Sequence, residues 1–236
     1  MLNNLVKDMK RLQDKKNAKL LQRYFKTGKG EYGEGDIFIG LRVPQIRQLV
    51  KKYWNLNFSD IQKLLNSKIH EQRCVGFLIL VEQFQKGDDK QKRLVFNFYL
   101  KNARRANNWD LVDLSSHKIV GAYLLDKKRD VLYKLAKSKN LWEKRISIVS
   151  TFAFIAQNEL DDSLKLAKIL LGDSHDLIHK AVGWVLREIG KKNEKLLENF
   201  LKKNYDKITR TTLRYAIEKF EEGKRKKWLR GEHENQ

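Results

Sequence analysis

The chain has 236 residues, 41% of them hydrophobic, enough for one fair-sized domain or for a stack of repeats that bury their apolar faces against one another. It carries 50 Lys and Arg against 29 Asp and Glu, a net charge of +21, with a pI near 9.9. Self-repulsion of that size is relieved by a polyanion, so duplex DNA or RNA is the natural partner, an excess of surface Lys being the plain alternative. The single Cys74 excludes an internal disulfide framework and any multi-cysteine metal site. No run approaches the ~20 apolar residues that span a bilayer. The first residues interleave charges with apolar positions instead of forming a signal peptide, so a cytoplasmic, nucleoid-associated location is expected.

One proline in the whole chain, few turn dipeptides and an abundance of Lys, Leu, Glu and Gln favour an all-α fold. The stripe Leu2, Leu5, Met9, Leu12 opens a helix predicted over 2–25. A glycine-rich segment follows at 28–40, with Gly28, Gly30, Gly33, Gly35 and Gly40. Lys29 is followed by Gly30 and not by Ser or Thr, so the segment is no P-loop and reads as a flexible connection. Pro44 in a first turn starts a helix over 43–53 carrying Ile46, Leu49, Val50 and Tyr53. Ser59 with Gln62 has the form of a capping box for 59–66. Further helices are expected over 70–85, 90–104, 109–121 and 128–138. Asn140 with Glu143 opens 141–155, and 160–171 follows. Asp173 or Ser174 caps a helix over 175–189 that Gly190 is placed to end. Helices over 193–203 and 209–220 precede a basic C-terminal tail, 224–236, whose run from Lys224 to Arg230 suits either DNA backbone or solvent. Neighbouring helices pair into units of roughly 35 residues, as in HEAT-type repeats. The expectation is a single domain, 1–236, built as a right-handed solenoid of HEAT-like helix pairs with a concave basic groove; a compact helical bundle is the alternative.

The chemistry concentrates in Asn108–Asp113, NWDLVD. On a helix Trp109 and Asp113 share a face, while Asp110 points about 100° away into the first turn, where the helix dipole favours it. Asp110 is therefore read as structural and Asp113 as the reactive group, although a core Trp109 with a surface Asp113 satisfies the hexapeptide equally well. Trp142 with Arg145, and Trp184 with Arg187 and Lys180, repeat a Trp beside a charge, which suggests one groove lined by indoles, guanidinium groups and a carboxylate. His175 and His179 have zinc-compatible spacing but lack a third ligand. With His70, His117 and His233 they read as surface histidines, and neither metal nor cofactor is expected.

Together these segments resemble the bacterial DNA alkylation repair glycosylases of the AlkD type. The resemblance runs from about Arg23 to Phe220 and rests on RYFK at 23–26, GLRVPQIRQL at 40–49, NWDLVD at 108–113, WEKR at 142–145, KAVGWVLREIG at 180–190 and LRYAIEKF at 213–220. It implies HEAT-like repeats around double-stranded DNA and removal of cationic lesions such as 7-methylguanine and 3-methyladenine. By resemblance Asp113 is the catalytic carboxylate, Trp109 and Trp184 the indoles that meet the lesion's deoxyribose, and Arg145 the arginine beside them. Tyr24, Arg47, Lys180, Arg187 and Arg214 fall among the DNA-binding positions. The glycine-rich segment at 28–36 departs from the family by its length. A monomer is expected. A non-catalytic binder of damaged or branched DNA and a protein-binding scaffold are the competing functions, separable by base release and by the salt dependence of DNA binding.

Overall fold

Leu5 and Met9 sit one turn apart and are almost wholly buried, as the opening stripe requires. The helix they belong to is nonetheless short. In the computed structural model, which describes residues 1–232, the expected helix over 2–25 is two, α1 (Leu2–Arg11) and α2 (Lys15–Tyr24). Asp14 is the cause: its carboxylate caps the amides of Lys16 and Asn17 at 2.9 Å, and its own N–H donates to Ile39 O at 3.1 Å. α3 (Val43–Tyr53) starts with proline in its first turn as expected and buries Ile46, Leu49, Val50 and Tyr53. α4 (Phe58–Leu65) is capped by Asn57, whose side chain reaches the Asp60 N–H at 2.8 Å, and not by Ser59. α5 (His70–Lys86) is buried nearly all round and packs against α3, α4, α6 (Asp89–Lys101) and α7 (Trp109–Ser116). After α7 the chain continues as a π-helical turn, His117–Gly121, so the expected 109–121 helix changes its winding midway.

The second half holds α8 (Asp130–Ala136), α9 (Leu141–Val149), α10 (Phe152–Ala156), α11 (Asp161–Leu170), α12 (Asp176–Lys192), α13 (Glu194–Asn204), α14 (Arg210–Ala216) and α15 (Glu222–Arg230). Asn140 caps α9 as expected, accepting from Trp142 and Glu143 at 3.0 and 3.1 Å. The helix expected over 141–155 breaks after Val149 into α9 and α10. His175 caps α12 through Nδ1 in place of Asp173 or Ser174. Gly190 does not end α12, which runs two residues further. A β-carbon at 190 would stand 2.5 Å from Leu197 Cδ2, so this glycine serves close packing against α13. The segment read as a basic tail is helical through Arg230. Trp228, 3% exposed, anchors it against Tyr205 and Phe220.

All these elements are helical, and the pairing at Ile37 and Ile69 is an isolated bridge. The all-α, repeat-like expectation holds: within each half, helices pack against their neighbour and against the next but one, α3 on α5 and α12 on α14, as stacked helix pairs do. By contacts the chain forms two compact units, Met1–Tyr123 and Leu124–Gln236. Among the described residues no helix is long and apolar enough to cross a membrane.

The glycine-rich segment is ordered, against the expectation of a flexible connection. Gly40 has φ +89°, and a β-carbon there would meet Asp14 O at 2.1 Å. The buried Glu71 carboxylate accepts the backbone N–H groups of Ile39, Gly40 and Leu41 at 2.8 to 3.3 Å. His70 N donates to Ile37 O at 2.8 Å and Ile37 N to Lys68 O at 3.1 Å. The segment is therefore laced to α5 over its whole second half.

Candidate active site

α7 begins where Asn108, fully buried, turns its side-chain oxygen onto the Trp109 N–H at 2.8 Å. This start brings Trp109 and Asp113 one turn apart on the same face, both half-buried. The indole is held from three sides in the first unit. Phe25 stacks on it with centroids 5.2 Å apart, Tyr24 meets it edge-on at 6.0 Å, and its Nε1–H donates to the Tyr32 hydroxyl at 3.2 Å. Tyr24 is 64% exposed, so this wall ends in an aromatic ring open to solvent. Lower on α7, Ser115 and the buried Tyr99 hydroxyl are 2.9 Å apart, which ties the helix to α6.

Asp110 behaves as the sequence suggested, as a structural carboxylate. Its Oδ2 meets His70 Nε2 at 2.8 Å. The other ring nitrogen of His70 faces Asp36 Oδ2 at 3.3 Å, and Asp36 also pairs with Arg73 at 2.6 Å and accepts from Asn107 at 3.2 Å. Burial opposes a charge on His70, but the charge and hydrogen bond of Asp110, with the hydrogen bond of Asp36, outweigh it and raise the imidazole to about 9. Burial likewise opposes the charge on Asp36, yet His70 and Arg73 hold it below the usual carboxylate range. Phe38 stacks on the His70 ring at 4.4 Å, and Phe25 lies tilted against it at 5.1 Å. His70 is thus 2% exposed, which corrects its reading as a surface histidine. His117 is half-buried, and burial with the neighbouring Lys118 lowers it to about 4. His233 lies outside the described residues.

In the second unit the pattern of a Trp beside a charge does not make a single lining. Trp142 and Arg145 are 6% and 5% exposed, and Arg145 Nη1 donates to Leu177 O at 2.6 Å, so this pair belongs to the interior where α9 meets α12. Trp184 is half-buried against Phe152 at 4.4 Å. Arg187 bonds Glu218 and lies 3.4 Å from Glu188. Lys180 pairs with Asp176 at 2.8 Å. Arg214 is exposed, as is Arg47 on α3 in the first unit. His175 and His179 both bond backbone groups, the N–H of Leu177 and the carbonyl of Asp173. Cys74 is a core residue whose thiol burial pushes well up, as expected of a small buried hydrophobe.

Sequence reasoning missed Tyr32, Phe25, Asp36 and His70. A tyrosine inside a glycine-rich run was the available signal for the first; the other three gain their roles only from partners 34 to 40 residues away or from ring stacking.

The family model described as DNA alkylation repair enzyme matches residues 5–220. Among solved structures, a chain described as "Predicted DNA alkylation repair enzyme from Enterococcus faecalis" superposes with a TM-score of 0.68 at 16% identity, over 89% of this chain and 97% of that one. At that identity the likeness concerns the fold. The comparison with curated proteins gives no match.

Proposed function

Because the chain belongs to the DNA alkylation repair enzyme family, we propose that it hydrolyses the N-glycosidic bond of cationic alkylated purines, 7-methylguanine and 3-methyladenine, in duplex DNA, with Asp113 as the catalytic carboxylate. One observation carries this reading: α7 presents Trp109 and Asp113 one turn apart on a single face, both half-buried.

An N7- or N3-alkylated purine already bears positive charge. When the bond from C1′ to the purine breaks, the electron pair goes to the purine and the base leaves neutral, so no general acid is required. The sugar takes up the cationic character. A carboxylate fixed near C1′ stabilises that charge electrostatically, and it orients or deprotonates the attacking water, whose oxygen forms the new bond to C1′. An indole face held in place stabilises the same cation. One acid therefore does the work for which ordinary glycosidases use two. Tyr24, exposed at the edge of the aromatic wall, and Arg47 are proposed DNA contacts of the first unit. Lys180, Arg187 and Arg214 are proposed for the second, and Trp184 as the second indole at the lesion's deoxyribose, each to be tested by its own substitution. Lys180 and Arg187 have carboxylate partners in the free protein, so a phosphate would replace an existing pairing and not fill a vacancy.

The test is release of 7-methylguanine from N-methylated duplex DNA by wild type and Asp113→Asn. Wild type should release the base, and the variant should bind DNA equally while its rate falls about a hundredfold or more. DNA binding by wild type without any base release would leave the non-catalytic binder as the function.

A further inference from the structure

We propose that His70 is a positioning residue for this site: its imidazolium bridges Asp110 of α7 and Asp36 of the glycine-rich segment and so holds Trp109 and Tyr32 as one wall beside Asp113. The proposal rests on the glycosylase reading for its consequence in catalysis, and on geometry for the device itself.

Both ring nitrogens of His70 face carboxylate oxygens, Asp110 at 2.8 Å and Asp36 at 3.3 Å. Ionised carboxylates only accept hydrogen bonds, so a ring that serves both must donate from both nitrogens and carry a charge. The two acids belong to different elements, and His70 belongs to a third. The same ring stacks on Phe38 and packs at a tilt against Phe25, and Phe25 stacks on Trp109 in turn. The imidazole is therefore joined to the site twice: through Asp110 to the first turn of the helix that carries Asp113, and through Phe25 to the indole.

The groups that bear on His70 are Asp110 from α7, Asp36 from the glycine-rich segment, and Arg73 on its own helix. α2 offers it the uncharged Phe25. Glu71, also on α5, is directed to the amides of residues 39–41. Cys74 lies one turn on, with Arg47 the charge that reaches it from α3. Loss of one proton leaves a single N–H for two carboxylates. Asp36 keeps Arg73 and Asn107; Asp110 has His70 as its ionic partner. The remaining N–H stays with Asp110, the shorter contact at 2.8 Å, so the bond lost is the one to Asp36 at 3.3 Å; the glycine-rich segment loosens, and with it the Tyr32 hydroxyl that holds the Trp109 indole.

The experiment follows the His70 ring and the Trp109 indole N–H by NMR through an alkaline titration, beside the pH profile of 7-methylguanine release, in wild type, His70→Gln and Asp110→Asn. In wild type the ring should titrate near 9, the Trp109 resonance should move with the same midpoint, and kcat should fall over that range while affinity for undamaged DNA holds. His70→Gln should abolish the alkaline limb and lower kcat at neutral pH about tenfold. Asp110→Asn should move the ring's midpoint down by about one unit or more, which keeps the test decisive if His70→Gln does not fold. A ring that titrates near 6.5, a Trp109 signal indifferent to it, or an alkaline limb unchanged in His70→Gln overturns the proposal. If no variant or wild type releases base at any pH, the glycosylase reading fails and the spectroscopic titration alone decides the role of His70.

Discussion

The two units bury different chemistry. The interior of Met1–Tyr123 contains Asp36, His70, Glu71 and Arg73, each no more than 4% exposed, and all four join the glycine-rich segment, α5 and α7. Among the described residues of the second unit, the buried polar side chains are hydroxyls, Ser147, Ser150, Thr151, Ser163 and Thr212, with Arg145 as the charged exception. Helix faces that pack on other helices need only shape and apolar area, because their backbone groups are already bonded within each helix. A segment without helix or strand has no such internal partners. Holding it against a helix requires acceptors and donors from side chains, and buried charges fix one geometry because any other leaves them unpaired. The first unit has the polar interior because it has the ordered irregular segment.

Several substitutions break or sharpen that contrast. The largest effect on stability is expected from Glu71→Ala, which strands three buried backbone N–H groups and should cost about 4 kcal/mol by urea denaturation. A loss below about 1 kcal/mol would mean that the segment holds itself. Next comes pH. His70 is raised in the folded chain, so its contribution is fully present below its ordinary value of 6.5 and is lost as the pH climbs through about 9. Linkage puts the loss at about 3 kcal/mol between those limits. Hydrogen exchange should report it in the first unit, and His70→Gln should remove the dependence. Two glycines of close approach, Gly40 and Gly190, give a smaller, paired test. Gly40→Ala meets backbone at a positive φ and should cost about 2 kcal/mol or more. Gly190→Ala meets only the tip of Leu197 and should stay within about 1 kcal/mol, because that side chain can turn aside and alanine favours helix. Smallest is Tyr32→Phe, which removes one partly buried hydrogen bond to Trp109 and should shift stability by about 1 kcal/mol or less. Its clearer signature is a changed Trp109 indole resonance.

The helices and the candidate acid were legible because their signals are local. Period announces α3 and α12, the first with its proline, period and cap together announce α9, and four-residue spacing alone puts Trp109 and Asp113 on one face. Where a local signal had a rival elsewhere in the chain, the reading failed. The apolar stripe through Leu12 hides the break that Asp14 makes by bonding both Lys16 and Ile39. Trp142 and Arg145 carry the same spacing signature as a groove-lining pair, yet they are interior. Spacing tells which residues share a helix face, and only the neighbouring helices tell whether that face is covered.

By itself, then, the chain's order of residues determined an all-helical protein, a strongly basic charge, and one acid set a helical turn from an indole. Tertiary structure alone decided that glycine-rich residues become an ordered wall, that His70 is a buried charge and not a surface base, and that Trp228 fastens a basic helix. The physical reason is range. Helix formation is settled among residues three or four apart, whereas desolvating an imidazole between two acids requires groups 34 and 40 positions away to arrive together.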